Sequence, residues 1–122
     1  MYKENITAIE HLVTNYFEGI FYEDTEKLRA CFHNNTPIYG DIKGTDYFKS
    51  AEAYIEGVAN RQSPNDLKES FNMKIIGVDI MGKIAMAKLH VPMLGYNYYD
   101  YLSLTKIGND WKIVAKIFTH VE

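Results

Sequence analysis

One cysteine, three prolines, four scattered histidines and no apolar run of membrane-spanning length occur among the 122 residues. Each scarcity excludes something. The lone Cys31 has no partner for an internal disulfide, so nothing requires an oxidising compartment. Next to Phe32 it reads as a small buried apolar residue. No stretch approaches the roughly 20 apolar residues of a spanning helix, and no basic segment followed by an apolar run opens the chain. The expectation is a soluble, cytoplasmic protein with no membrane partner. A formal charge of −3 supplies no basic surface for nucleic acid. His11, His33, His90 and His120 form no H-x-x-x-H or acid-rich cluster, so neither a metal nor another cofactor is expected. There is no nucleophile elbow and no phosphate-cradling glycine loop.

Aromatic residues, by contrast, are plentiful. They make up 14% of the chain, and ten are tyrosines, which suits a cavity or interface lined by amphipathic rings. The length allows one core and hence a single domain over residues 1–122, without repeats or linkers. Ile6, Ile9, Leu12, Val13, Tyr16, Phe17, Ile20 and Phe21 recur at helical spacing and predict a helix from about Glu4 to Tyr22. Gly19 weakens it by roughly 1 kcal/mol relative to alanine, so tertiary packing has to hold that turn. Asp24 or Thr25 caps a short second helix that runs to Phe32. Pro37 ends a turn cluster, and Ile38–Ile42 reads as a poor strand interrupted by Gly40. Thr45 is expected to cap a third helix covering Tyr47 to Ala59, followed by a polar loop over Arg61–Asp66.

From Ser70 the period becomes that of strands. Phe71–Ile80 and Ile84–Val91 flank a Met81-Gly82-Lys83 turn, and Leu94–Asn97 turns into a closing hairpin. That hairpin comprises Tyr98–Thr105 and Trp111–Phe118 around Gly108-Asn109-Asp110. Alternation puts Asp100 on one face with Leu102 and Leu104, where a carboxylate faces burial. Strict alternation also puts Trp111, Ile113, Ala115 and Ile117 on one face of the last strand, and Lys112, Val114, Lys116, Phe118 and His120 on the other. With apolar groups on both faces, the sheet needs helices on one side and another subunit on the other. The fold class is α+β, with N-terminal helices packed on a curved, mainly antiparallel sheet.

Several stretches resemble a known group. The segment Asn15–Leu28 resembles the first-helix segment of the cone-shaped nuclear-transport-factor-2-like (NTF2-like) group, and the pair Phe32-His33 and Asp100–Leu104 followed by Trp111–Lys116 resemble its branch labelled putative lumazine-binding. The similarity spans nearly the whole chain. It implies a homodimer joined through outer sheet faces and a hollow beneath the helices. The SnoaL-like and ketosteroid-isomerase-like enzymes share this fold. Laid along ketosteroid isomerase, Tyr16 matches the oxyanion-hole tyrosine and Asp100 the protonated aspartic acid. The general base falls at Gly40, beside Asp41, and a shift of one residue turns Asp41 to the opposite face.

Asp100 therefore either binds a polar ligand atom or is held in the fold by Lys116 or Tyr16, because isolated burial of its charge is prohibitive. Lys116 pairs with Asp100, meets an anionic ligand, or snorkels at the sheet edge. The candidate cavity residues are Tyr16, His33, Tyr39, Asp100, Leu102, Lys116, Phe118 and His120. The function expected is binding of an aromatic or polyketide-like small molecule. The alternative is a cyclase, dehydratase or isomerase acting near a carbonyl, with Asp41 or His33 moving a proton. A structural module with a filled core is the third reading.

Overall fold

In the computed structural model, which describes residues 2–122, a helix α1 (Tyr2–Phe21) is followed by a short helix α2 (Thr25–Cys31). Then come strands β1 (Pro37–Ile42) and β2 (Thr45–Ser50), helix α3 (Ala51–Ala59), and strands β3 (Lys74–Met81), β4 (Ile84–Met93), β5 (Tyr96–Ile107) and β6 (Asp110–His120). The strands form one sheet in the order β2-β1-β6-β5-β4-β3, in which only the β1–β6 pairing is parallel. The helices lie on one face of it. Among the described residues, no helix is long and apolar enough to cross a membrane.

The expected elements are present, with one substitution. Asp24 caps α2 by accepting from the Lys27 amide at 3.1 Å. Gly19 sits where α1 crosses α2: a Cβ there would lie 2.7 Å from the Leu28 Cβ, so the crossing itself demands glycine. Residues 45–50, however, are a strand rather than the start of α3. Lys43 and Gly44 both adopt positive φ (51° and 88°), and Ile42 pairs with Thr45, which makes a two-residue hairpin. The helical period holds only over Ala51–Ala59 and does not extend back to Thr45. Ser50, not Thr45, caps α3, accepting from the Ala53 amide.

β6 departs from strict alternation. Ser103 pairs with Ala115 but Leu104 pairs with Ile113, so Val114 is an extra residue opposite no partner. This bulge resets the faces. Trp111 and Ile113 are buried before it, and Lys116 and Phe118 are buried after it, all on the helix side. The expectation that Trp111 and Lys116 face opposite ways is therefore corrected. The outer face carries Ile84, Met86, Tyr101 and Ile117, each about half exposed. The core between sheet and helices includes Ile9, Val13, Ile20, Leu28, Ile55, Leu89 and Leu104.

Candidate functional site

The inward face of β5 and β6 carries two charged residues into the core. Asp100 is 2% exposed and Lys116 is 4% exposed. The Tyr16 hydroxyl, reaching down from α1, donates to Asp100 Oδ2 at 2.6 Å, and the Lys116 Nζ lies 3.9 Å from the same oxygen. Burial pushes the Asp100 carboxyl above its ordinary range, while the Lys116 charge and the Tyr16 hydrogen bond pull it back only in part. Burial and the neighbouring carboxylate hold the Tyr16 hydroxyl well above its usual range, so it remains a donor.

The Lys116 ammonium sits in a box of rings. Its Nζ is 4.0 Å from the Tyr54 centroid and 5.2 Å from those of Tyr16 and Phe118. Such contacts contribute about 0.5–2 kcal/mol each, less than an ammonium loses on leaving water. Its ionic contact with Asp100 exceeds hydrogen-bond distance, and Lys116 makes no side-chain hydrogen bond among the described residues.

These groups border a partly open depression. Asp100, Lys116, Phe118, Tyr47, Tyr54, Tyr98 and Arg61 line it, with Ile20, Ile42, Val91 and Met93 as its apolar wall. The cavity itself measures about 60 Å³ and opens to solvent at its mouth. Pockets for drug-sized ligands measure roughly 300–1,000 Å³, so this cavity admits only a small group, with the rest of any ligand lying at the mouth. Burial pushes the Tyr47 hydroxyl up to about 12 and raises that of Tyr98. Three polar atoms in the lining, Tyr54 Oη and Arg61 Nε and Nη2, are buried with no hydrogen-bond partner among the described residues.

Of the eight residues proposed from sequence, Asp100, Lys116 and Phe118 line this pocket, and Tyr16 stands directly behind Asp100. Leu102 is buried deeper in the sheet core. His120 lies at the sheet end, where its Nδ1 accepts from the Asn97 amide at 2.9 Å and its ring meets Tyr96 edge-on. His33 and Tyr39 are corrections. His33 is exposed after α2, its amide donating to the Ile113 carbonyl at 2.9 Å, while Tyr39 points to the outer face and stacks on Phe48 at 4.6 Å. Asp41 shares the outward parity of Tyr39 and does not line the pocket. Gly40 faces inward, but a Cβ there would lie 2.3 Å from the Phe118 ring, so that ring occupies the space a basic carboxylate would need.

Sequence reasoning missed Tyr47, Tyr54, Tyr98 and Arg61. The abundance of tyrosine was the only signal for the first three, since Tyr54 on a helical stripe reads as core. Arg61 lies in a loop whose path no local pattern fixes.

A family model described as "Putative lumazine-binding" matches residues 4–119. Aldolase FrzH from Cladobotryum sp. is 26% identical over 103 residues, which span 84% of this chain and 81% of that protein. Two crystal structures described as NTF2-like proteins of unknown function superpose with TM-scores of 0.86. That from Silicibacter pomeroyi is 22% identical, with 99% of both chains covered. That from Shewanella baltica is 24% identical, covering 100% of this chain and 98% of the other.

Proposed function

The chain belongs to the "Putative lumazine-binding" family of NTF2-like domains, and on that premise we propose that it binds a small aromatic or polyketide-like molecule in the pocket beneath α1 and α3. One observation carries the reading: the buried Lys116 side chain, which makes no side-chain hydrogen bond among the described residues, borders a part-open void walled by aromatic rings. Three donors in such a place favour a ligand acceptor. Ring contacts with Tyr47, Tyr98 and Phe118 supply affinity, and Lys116 with Asp100 fixes orientation. Tyr16 acts through Asp100 as a positioning residue.

A second copy of the chain is proposed to cover the outer sheet face around Met86, Tyr101 and Ile117, whose exposure is unusual for so apolar a surface.

A second reading, an enzyme acting near a carbonyl, is favoured by the similarity to an aldolase and by one chemical feature. Burial biases Asp100 towards its neutral form, which donates a hydrogen bond to a carbonyl oxygen. Asp41 and His33 do not line this pocket, so this reading has no base from either of them.

Screening aromatic fragments by NMR tests the binding reading. Hits are expected to move the resonances of Tyr54, Tyr98 and Phe118, and Asp100→Asn, which keeps the shape, is expected to weaken them. A collection that gives no hits, or hits that map only to the outer face, removes the proposal. Chemical turnover of a hit would select the enzymatic reading.

A further inference from the structure

Arg61 follows Asn60, the C-cap of α3, and its loop is fastened on both sides of the pocket mouth. The Asn65 amide donates to the Phe21 carbonyl at the end of α1 (3.1 Å), and the Leu94 amide donates to both carboxylate oxygens of Glu69 (3.0 and 3.1 Å). The Asp66 amide donates to Ser63 Oγ at 3.0 Å, and Ser63 is buried. The guanidinium is thus presented by a braced segment.

Its Nε and Nη2 are buried without partners. Covalent geometry sets the Nε–H and the outer Nη2–H parallel along one edge of the planar group, the edge that grips two oxygens at once. Among the described residues, no carboxylate lies within ion-pair distance of Arg61, and Asp100 is engaged by Tyr16 and Lys116. The lining therefore holds one cation in excess of its anions, and two when Asp100 is protonated. Arginine does not relieve this by losing its proton.

We infer that the ligand of this pocket carries a carboxylate and that the Nε/Nη2 edge of Arg61 receives it. The inference rests on the small-molecule reading above and specifies its ligand class. A cavity of about 60 Å³ admits a head group no larger than a carboxylate, with Tyr54 Oη as a further donor and an aromatic remainder against the rings at the mouth.

Benzoate and its neutral isostere benzamide separate charge from shape. Both are titrated into the full chain, its Arg61→Gln and its Arg61→Lys variants, with arginine Nε–H resonances as the readout. Benzoate is expected to bind the unaltered protein at least about tenfold tighter than benzamide and to shift the Arg61 resonance. Arg61→Gln should lose about tenfold or more for benzoate and nothing for benzamide, and Arg61→Lys should fall between, since it keeps charge without the fork. The melting temperature without ligand should not drop in Arg61→Gln, because no protein contact of the guanidinium is removed. Equal affinity for both probes, or benzoate binding indifferent to Arg61→Gln, overturns the inference and leaves the small-molecule reading standing. Failure of every aromatic compound, charged or neutral, overturns both. Inorganic phosphate displacing benzoate at lower concentration than acetate overturns the choice of carboxylate.

Discussion

Lys116→Met keeps most of the side-chain stem and removes only the ammonium. At 3.9 Å and an effective dielectric near 20, the attraction to Asp100 is about 4 kcal/mol. Relief of the ammonium's own burial opposes that loss, so the net destabilisation at pH 7 should be about 3 kcal/mol, the lower end for breaking a buried pair. For a chain of this size that corresponds to roughly 10 °C of melting temperature. The pH dependence is diagnostic. Asp100 has its folded-state carboxyl raised above the ordinary 3.8, and losing Lys116 raises it further. A carboxyl so raised penalises the fold above its folded-state value, and the penalty disappears on protonation. The deficit should therefore be largest at neutral pH and shrink as pH falls through that raised value towards 3.8. Asp100→Asn combined with Lys116→Met should recover most of the loss. Urea unfolding followed through Trp111, the sole tryptophan, reads both variants against the unaltered protein. A Lys116→Met protein as stable as the original, or a deficit identical at pH 7 and pH 4.5, would refute the coupling.

Gly40→Ala should destabilise by about 1–3 kcal/mol through collision with Phe118, and Phe118→Leu in the same chain should return part of it; urea midpoints measure both. Burial pushes the Cys31 thiol up to about 12. Aromatic disulfide reagents at pH 8 should thus leave the folded protein unlabelled and take one equivalent in denaturant. Ile117→Lys on the outer face should shift sedimentation from dimer to monomer with the melting temperature of the isolated domain little changed; a protein monomeric from the start contradicts the proposed pairing.

Much of the architecture could be read from local pattern because long apolar periods dominate α1 and β3–β6. The inward aim of Asp100 followed from parity alone, since Leu102 and Leu104 share its face. Residues 45–50 failed for a physical reason: a hairpin whose turn is Lys43-Gly44 carries a weaker signal than Asn-Gly, and Tyr47 and Phe48 fit a helical stripe equally well. Parity also misled in β6, where one inserted residue is invisible to composition. The pocket's second cation depended on the route of residues 61–69, which is set by distant hydrogen bonds to Phe21 and Leu94 rather than by neighbours in sequence.

Val114 divides the last strand into two stretches with different neighbours. Towards the turn, the Trp111 Nε1 donates to Asn5 Oδ1 at 3.4 Å, and Ile113 is wholly buried, so that half is tied to the start of the chain. Towards the carboxyl end, Lys116 and Phe118 line the depression and also pack on Tyr16 and Gly40. Substitutions towards the carboxyl end therefore bear on the depression and, through Tyr16, on α1, while the tie between Trp111 and Asn5 stays untouched.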